Sequence, residues 1–166
     1  ALAFAWQVFR DSPKSTNEHS NHLQSALAAH AQRISATLIY ARSQRNNHLL
    51  SEAAGLYTAA LLLPNLPHAP RWKKTGWNLF IEALRDQIAP DGSYIQQSVN
   101  YHRLMLQLAI WIQTLSTLNG AYSLPKDTKD KVVLSINWLE QMILSEDCRA
   151  PNMGSNDGAN ILPLGG

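Results

Sequence analysis

The polar residues best equipped for chemistry fall in two clusters. One is Asn46-Asn47-His48, with Glu52 one helical turn further on; the other is Gln97-Ser98-Val99-Asn100-Tyr101-His102-Arg103. Each opens a stretch that is apolar on most sides, from Leu49 to Leu61 after the first and from Leu104 to Leu115 after the second. A helix apolar all round is buried in a larger body, so its polar groups are confined to its mouth. There the backbone N–H groups are free and the helix dipole is positive, which favours an anion. Amide and imidazole donors at such a mouth can neutralise a carboxylate, and a phenol can give or take a proton. A third polar run, Asn152 to Asn160, contains Asn156-Asp157-Gly158. Together these residue types suggest that an acidic ligand is handled at the helix starts.

Each cluster also has a plain structural reading. Asn favours helix N-caps, so Asn46-Asn47-His48 can serve as a cap and nothing more. His48 and Glu52, at i and i+4, can form a surface pair contributing about 0.2–0.5 kcal/mol; on a helix otherwise buried, the pair is better placed to orient something. Tyr101 can be a core tyrosine with its hydroxyl satisfied. His102 and Arg103 can be a solvated first turn, although cations there oppose the dipole and call for a compensating anion. Asn156-Asp157-Gly158 makes a good turn on any surface. His19, His22, His30 and His68 are assigned no functional role. No His-x-x-x-His pair or Cys cluster has strong zinc spacing, so no metal site is expected.

Helices must carry these groups. Residues 1–10 read as a helix end broken by Asp11-Ser12-Pro13. A long helix is expected from about Thr16 to Tyr40, striped by Leu23, Leu27, Ile34 and Leu38 and ended by Arg42-Ser43. The next runs from near Arg45 to about Leu63, and Pro64, Pro67 and Pro70 then make a stiff loop. A third, about Trp72 to Ala89, turns Trp77, Phe80, Ile81, Leu84 and Ile88 inward. After an Asp91-Gly92 turn, Ser98 can cap the buried helix that ends before Gly120. A last helix, about Asp127 to Ser145, is amphipathic on Val132, Ile136, Leu139 and Ile143, and Arg149 to Gly166 is loop. No segment alternates apolar and polar with β-branched residues, so the fold class is all-α, built from antiparallel helix hairpins.

That topology gathers the polar residues. The helices starting near Arg45 and Ser98 are separated by one helix and should run parallel, with their N-termini at the same end. The Arg42–Asn46 segment, the Asp91–Gln97 loop and the tail from Pro151 to Asn160 reach that end too.

The chain has 166 residues, one domain or a piece of one. A net charge of +2 without a basic stripe argues against nucleic acid as a partner. No apolar run approaches ~20 residues, so no membrane span is expected. One cysteine, Cys148, excludes an intrachain disulfide. The start, Ala-Leu-Ala-Phe-Ala-Trp, lacks the basic region of a signal peptide. With no initiator Met and an end at Leu164-Gly165-Gly166, both ends are expected to be cuts in a longer polypeptide.

Asn46-Asn47-His48-Leu49-Leu50-Ser51-Glu52, then Asp91-Gly92-Ser93 with Gln97-Ser98-Val99-Asn100-Tyr101-His102, resembles the heparinase II/III-like polysaccharide lyases, of the heparinase III and alginate or oligoalginate lyase type. Gly154-Ser155-Asn156-Asp157-Gly158 is similar to that family's Gly-Asp-x-Asp-like loop. The resemblance covers about residues 40 to 160. It implies an incomplete (α/α) toroid followed by β-sheet domains, with residues 1–166 a single helical fragment from the later part of the toroid. It implies cleavage of a uronic-acid polysaccharide by β-elimination, in the periplasm or outside the cell. Tyr101 would protonate the leaving oxygen and could also serve as base, while Asn47 and His48 would neutralise the uronate carboxylate. Asn46, Glu52, Gln97, His102, Arg103, Arg45, Asn156 and Asp157 would contact substrate. The other base, a His or Tyr, would lie in the downstream β domain, so the fragment alone is expected to be inactive. No cofactor is implied, although a metal in that β domain would be compatible. Gln97 stands where many members carry Glu, and Asn156 where an acid is usual. Those departures leave room for a non-catalytic acidic-glycan binder or a polysaccharide-biosynthesis protein on the same scaffold. A helical-repeat interaction module is the remaining reading, disfavoured by polar clusters at the helix starts.

Overall fold

Three side-chain caps show how the chain commits to helices. Thr16 accepts from the His19 N–H, and His19 returns the bond through its ring, closing a capping box at the start of the longest helix. Asn46 accepts from the His48 N–H and Ser98 from the Tyr101 N–H, so both polar clusters begin with a cap. A computed structural model describes residues 2–143 and 149–157. Cys148 and the tail from Gly158 onward, including Asn160, lie outside the described residues.

Those residues form α1 (Leu2–Phe9), α2 (Asn17–Gln44), α3 (Asn47–Leu62), α4 (Ala69–Gln87), α5 (Val99–Leu118) and α6 (Lys126–Gln141). They contain no strand; Ile88 and Tyr94 form an isolated antiparallel bridge beside the Gly92 turn. The fold is all-α.

Helix α3 is central, packed by α2, α4 and α5. Its contact with α4 is close because α4 presents Gly76 there. A Cβ on Gly76 of α4 would lie 2.7 Å from the Tyr57 nitrogen and 2.8 Å from the Ala53 oxygen. Leu50, Tyr57, Phe80, Leu84, Met105 and Ile112 are fully buried around this contact. Burying an aliphatic or Phe side chain of this size contributes about 1.5–3 kcal/mol, so α3, α4 and α5 hold the other helices in place. A smaller core of Leu56, Ala60, Ala69 and Trp72 joins α2 to the α3–α4 hairpin.

Four sequence expectations need correction. Helix α2 does not stop at Arg42-Ser43 but runs to Gln44, where Arg45 takes a left-handed conformation (φ 46°) and ends it. Helix α3 accordingly starts at Asn47 rather than near Arg45. Pro70 belongs to the first turn of α4, where its missing N–H has no intrahelical partner to lose. On α6, which ends at Gln141 rather than Ser145, the inward face is Thr128 and Ser135, flanked by part-buried Val132 and Leu139, whereas Ile136 and, past the helix end, Ile143 are exposed.

Candidate functional site

Helices α3 and α5 lie one helix apart in the chain and against one another in space, and their starts share one end of the array. The loop between α4 and α5 stitches them together. The Asn47 N–H donates to Gln96 Oε1 at 2.9 Å. Gln87, buried at the end of α4, donates through Nε2 to the Asn46 carbonyl at 3.1 Å and accepts at Oε1 from the Tyr94 hydroxyl at 2.7 Å. Burial also pushes the Tyr94 hydroxyl's pKa well up, so it remains a donor. Gln87, Tyr94 and Gln96 are supports that residue types at the helix starts do not reveal. The available signal was Gln87 itself, a polar residue in phase with Phe80 and Leu84 on the inward stripe of α4.

The tail from Arg149 to Asp157 lies across the start of α5. Val99 N–H donates to the Met153 carbonyl at 3.0 Å, Ser98 Oγ donates to the Ser155 carbonyl at 2.8 Å, and Asn100 Nδ2 donates to Asn152 Oδ1 at 2.8 Å. Gly154 makes this approach possible. Its φ is +80°, and a Cβ there would lie 2.7 Å from Ser98 Cα and Cβ. The tail brings Asp157 to Tyr101, whose hydroxyl donates to Asp157 Oδ2. That hydrogen bond, followed by burial and the carboxylate's charge, raises the Tyr101 pKa.

The remaining residues divide. Arg103 is exposed and donates to Asn100 Oδ1 at 2.6 Å, so it stays at the site's rim. His102 points the other way. It is 1% exposed, stacked on Trp138 of α6 with ring centroids 4.7 Å apart, and its Nε2 lies 2.9 Å from the Ser135 carbonyl. A carbonyl only accepts, so Nε2 carries the hydrogen and Nδ1 is left as a buried lone pair with no partner among the described residues. Desolvation lowers the His102 pKa, against a smaller upward effect of the Ser135 bond. The ring is therefore neutral, and the expected conflict between two cations and the helix dipole does not arise.

On α3, His48 is exposed, and Asn47 is half-buried. Glu52 has one oxygen, Oε2, shut off from solvent without a hydrogen-bond partner among the described residues. Burial raises its pKa, and the nearby His48 opposes that rise through space. Asn46 is spent on capping. Arg45 lines a separate depression of about 270 Å³ with Arg42, Glu82 and Asp86, where Arg42 and Glu82 are ion-paired at 2.6 Å. Gln97 is exposed with φ 48°, and Asn156 donates to Asn152 Oδ1 at 3.4 Å. The structure thus brings Asn47, His48 and Glu52 to the same end as Tyr101, Asp157 and Arg103. It sends His102 into the α5–α6 interface. Among the described residues no group of three His, Cys, Asp or Glu side chains could hold a metal. A larger, apolar cavity of about 360 Å³, walled by Phe4, Leu27, Ile34 and Trp111, has little to offer an acidic ligand.

Residues 1–159 match the Heparinase II/III N-terminus family. A heparin-sulfate lyase of Bacteroides thetaiotaomicron is 30% identical over 96 residues, which is 58% of this chain but 13% of that protein's length. No solved structure matches the chain. The match over nearly the whole sequence places the chain in the Heparinase II/III N-terminus family.

Proposed function

We propose that this chain is the helical, substrate-holding part of a polysaccharide lyase, an incomplete (α/α) toroid that cleaves a uronic-acid polysaccharide by β-elimination. The observation carrying this reading is that Tyr101, at the buried start of α5, shares one end of the array with Asn47 and His48 at the start of α3. The family membership and the heparin-sulfate lyase relative support it.

The chemistry follows from the groups. The C5 proton of a uronate is weakly acidic, and its removal builds charge on the adjacent carboxylate. Fixed donors must therefore hold that carboxylate. Asn47 and His48 are suited to this, at the positive end of α3. The C5–H electrons form the C4–C5 double bond, the C4–O bond breaks, and the departing glycosidic oxygen takes the Tyr101 proton. A positioned proton donor of this kind accelerates such a step by about 10²–10⁴-fold. The base that receives the C5 proton is a His or Tyr of a domain beyond this one. Arg45 and Arg103 steer further acidic groups along the glycan, and Glu52 orients His48. His102 acts as a support of α5 rather than a substrate contact. The site operates in the periplasm or outside the cell; no helix among the described residues is long and apolar enough to cross a membrane.

The test is ultraviolet absorbance of the 4,5-unsaturated uronate product. The full-length polypeptide would be assayed on heparan sulfate, hyaluronan, chondroitin and alginate. Product from one of them, lost in Tyr101→Phe with the fold retained, is the expected result. Full activity in Tyr101→Phe would refute the assignment. Binding of uronate oligomers without cleavage would favour the second reading, a non-catalytic glycan binder, which Gln97 and Asn156 suggest.

A further inference from the structure

Tyr101 is not an open phenol. Its hydroxyl donates to Asp157, and Asp157 is brought there by a backbone seam rather than by its own side chain alone. Val99 N–H to Met153, Ser98 Oγ to Ser155 and Asn100 to Asn152 anchor the tail on both sides of Gly154. Gly154 sits so close to Ser98 that any side chain there must move the tail. Tyr101 as a whole is 7% exposed and belongs to the core, whereas Asp157 is exposed. A contact so placed bears on which half of an elimination the tyrosine can perform.

We propose that Asp157 is a positioning residue that commits Tyr101 to the acid half of the reaction, holding the phenol hydrogen until the leaving oxygen takes it, with Gly154 seating the tail that delivers it. This rests on the lyase reading of the site. A base must begin unprotonated, and a Tyr101 phenolate would face the Asp157 carboxylate, two like charges at hydrogen-bond distance. A phenol is stabilised there instead, in agreement with the raised Tyr101 pKa. When C4–O breaks, the electron pair goes to the glycosidic oxygen and the proton passes to it from Tyr101. The resulting phenolate, beside a carboxylate, recovers a proton from solvent readily. The C5 proton goes to a separate base of the imidazole or phenol class. Asp157 need not touch the sugar for any of this, which distinguishes it from a substrate contact.

The experiment follows Tyr101 itself. Tyrosines of the full-length polypeptide would be labelled with carbon-13 at Cζ, and Tyr101, one of five in this chain, identified by its loss in Tyr101→Phe. The resonance is expected to titrate above the ordinary tyrosine range in the native protein. It should move down in Asp157→Asn, which keeps an acceptor but loses the charge, and in Gly154→Ala, which lifts the tail. Asp157→Glu should restore part of the shift. In kcat/KM against pH, the alkaline limb should move down in the same variants. An unchanged Tyr101 titration in Asp157→Asn would overturn the proposal, whatever the activity. A shifted titration in a protein that cleaves no acidic glycan would uphold the Asp157–Tyr101 linkage and remove the lyase reading instead.

Discussion

Replacing Gln87 by Leu tests whether the site is held by its hidden supports. Gln87 is 2% exposed and joins three segments: its own helix α4, the Asn46 carbonyl before α3, and Tyr94 in the loop before α5. Leucine has similar volume but makes neither bond. The Tyr94 hydroxyl, in a residue 3% exposed, would be orphaned at about 1–3 kcal/mol. Asn46 is half-buried, so its carbonyl can recover a water and loses less, about 0.5–1 kcal/mol. The better transfer of leucine offsets part, about 1 kcal/mol. The net expectation is a loss of about 2 kcal/mol. At about 2–4 °C per kcal/mol for a chain of this size, that lowers Tm by about 4–8 °C. Urea denaturation and thermal melts would measure it. The diagnostic step is the double variant. Adding Tyr94→Phe removes the orphaned hydroxyl, so Gln87→Leu with Tyr94→Phe should be more stable than Gln87→Leu alone. If Gln87→Leu is as stable as the parent, or if the second change adds its full cost, the bridge is not what holds the loop.

Two further predictions concern the frame around the site. Gly76→Ala gains about 1 kcal/mol of helix propensity, but its Cβ would meet backbone atoms of α3 at 2.7 and 2.8 Å, which cannot step aside. Overpacking of about 1–3 kcal/mol should win, with Tm falling by several degrees; a rise in Tm would show that the α3–α4 contact is looser than described. His102 carries the pH dependence. Its folded pKa lies below the ordinary 6.5, so below that value the unfolded chain binds more protons than the folded one. The stability it contributes is therefore fully present above about pH 6.5 and lost as pH falls through the lowered folded value. Denaturation midpoints measured from pH 7.5 to 5 should fall in the native protein and fall less in His102→Gln. Parallel slopes would refute a buried neutral ring.

Much of this arrangement was legible because breakers and caps are local. Pro13, Gly92, Gly120 and Pro125 interrupt the chain where the structure does, and Asn46 and Ser98 cap where their side chains allow. The end of α2 escaped because its left-handed cap is Arg45, without the Gly or Asn that normally signals one. The inward face of α6 escaped for a different reason. Its apolar stripe predicts a core of isoleucines, but the surface it meets is polar. Ser135 donates to the Gly92 carbonyl at 2.7 Å and its own carbonyl receives His102. A partner's unsatisfied groups, not the helix's hydrophobicity, chose that face.

The division between Tyr101 and His102 shows the same limit at the site itself. Successive residues of an α-helix point about 100° apart, so neighbours at a helix start cannot both face one ligand from the helix axis. Sequence gives the angle between them, and the exposed stripe of Arg103, Thr114 and Thr117 sets a phase in which Tyr101 and His102 are both buried, without saying what each one meets. Two long-range contacts do. His102 is held by Ser135, 33 residues later, and Tyr101 by Asp157, 56 residues later. Neither separation follows any helical period. The chemistry of each side chain was readable from its type, but its assignment to interface or site depends on which distant segment supplies the partner. Turning His102 inward leaves Tyr101 at the mouth, because the rotation that buries one beneath α6 brings the other under the tail.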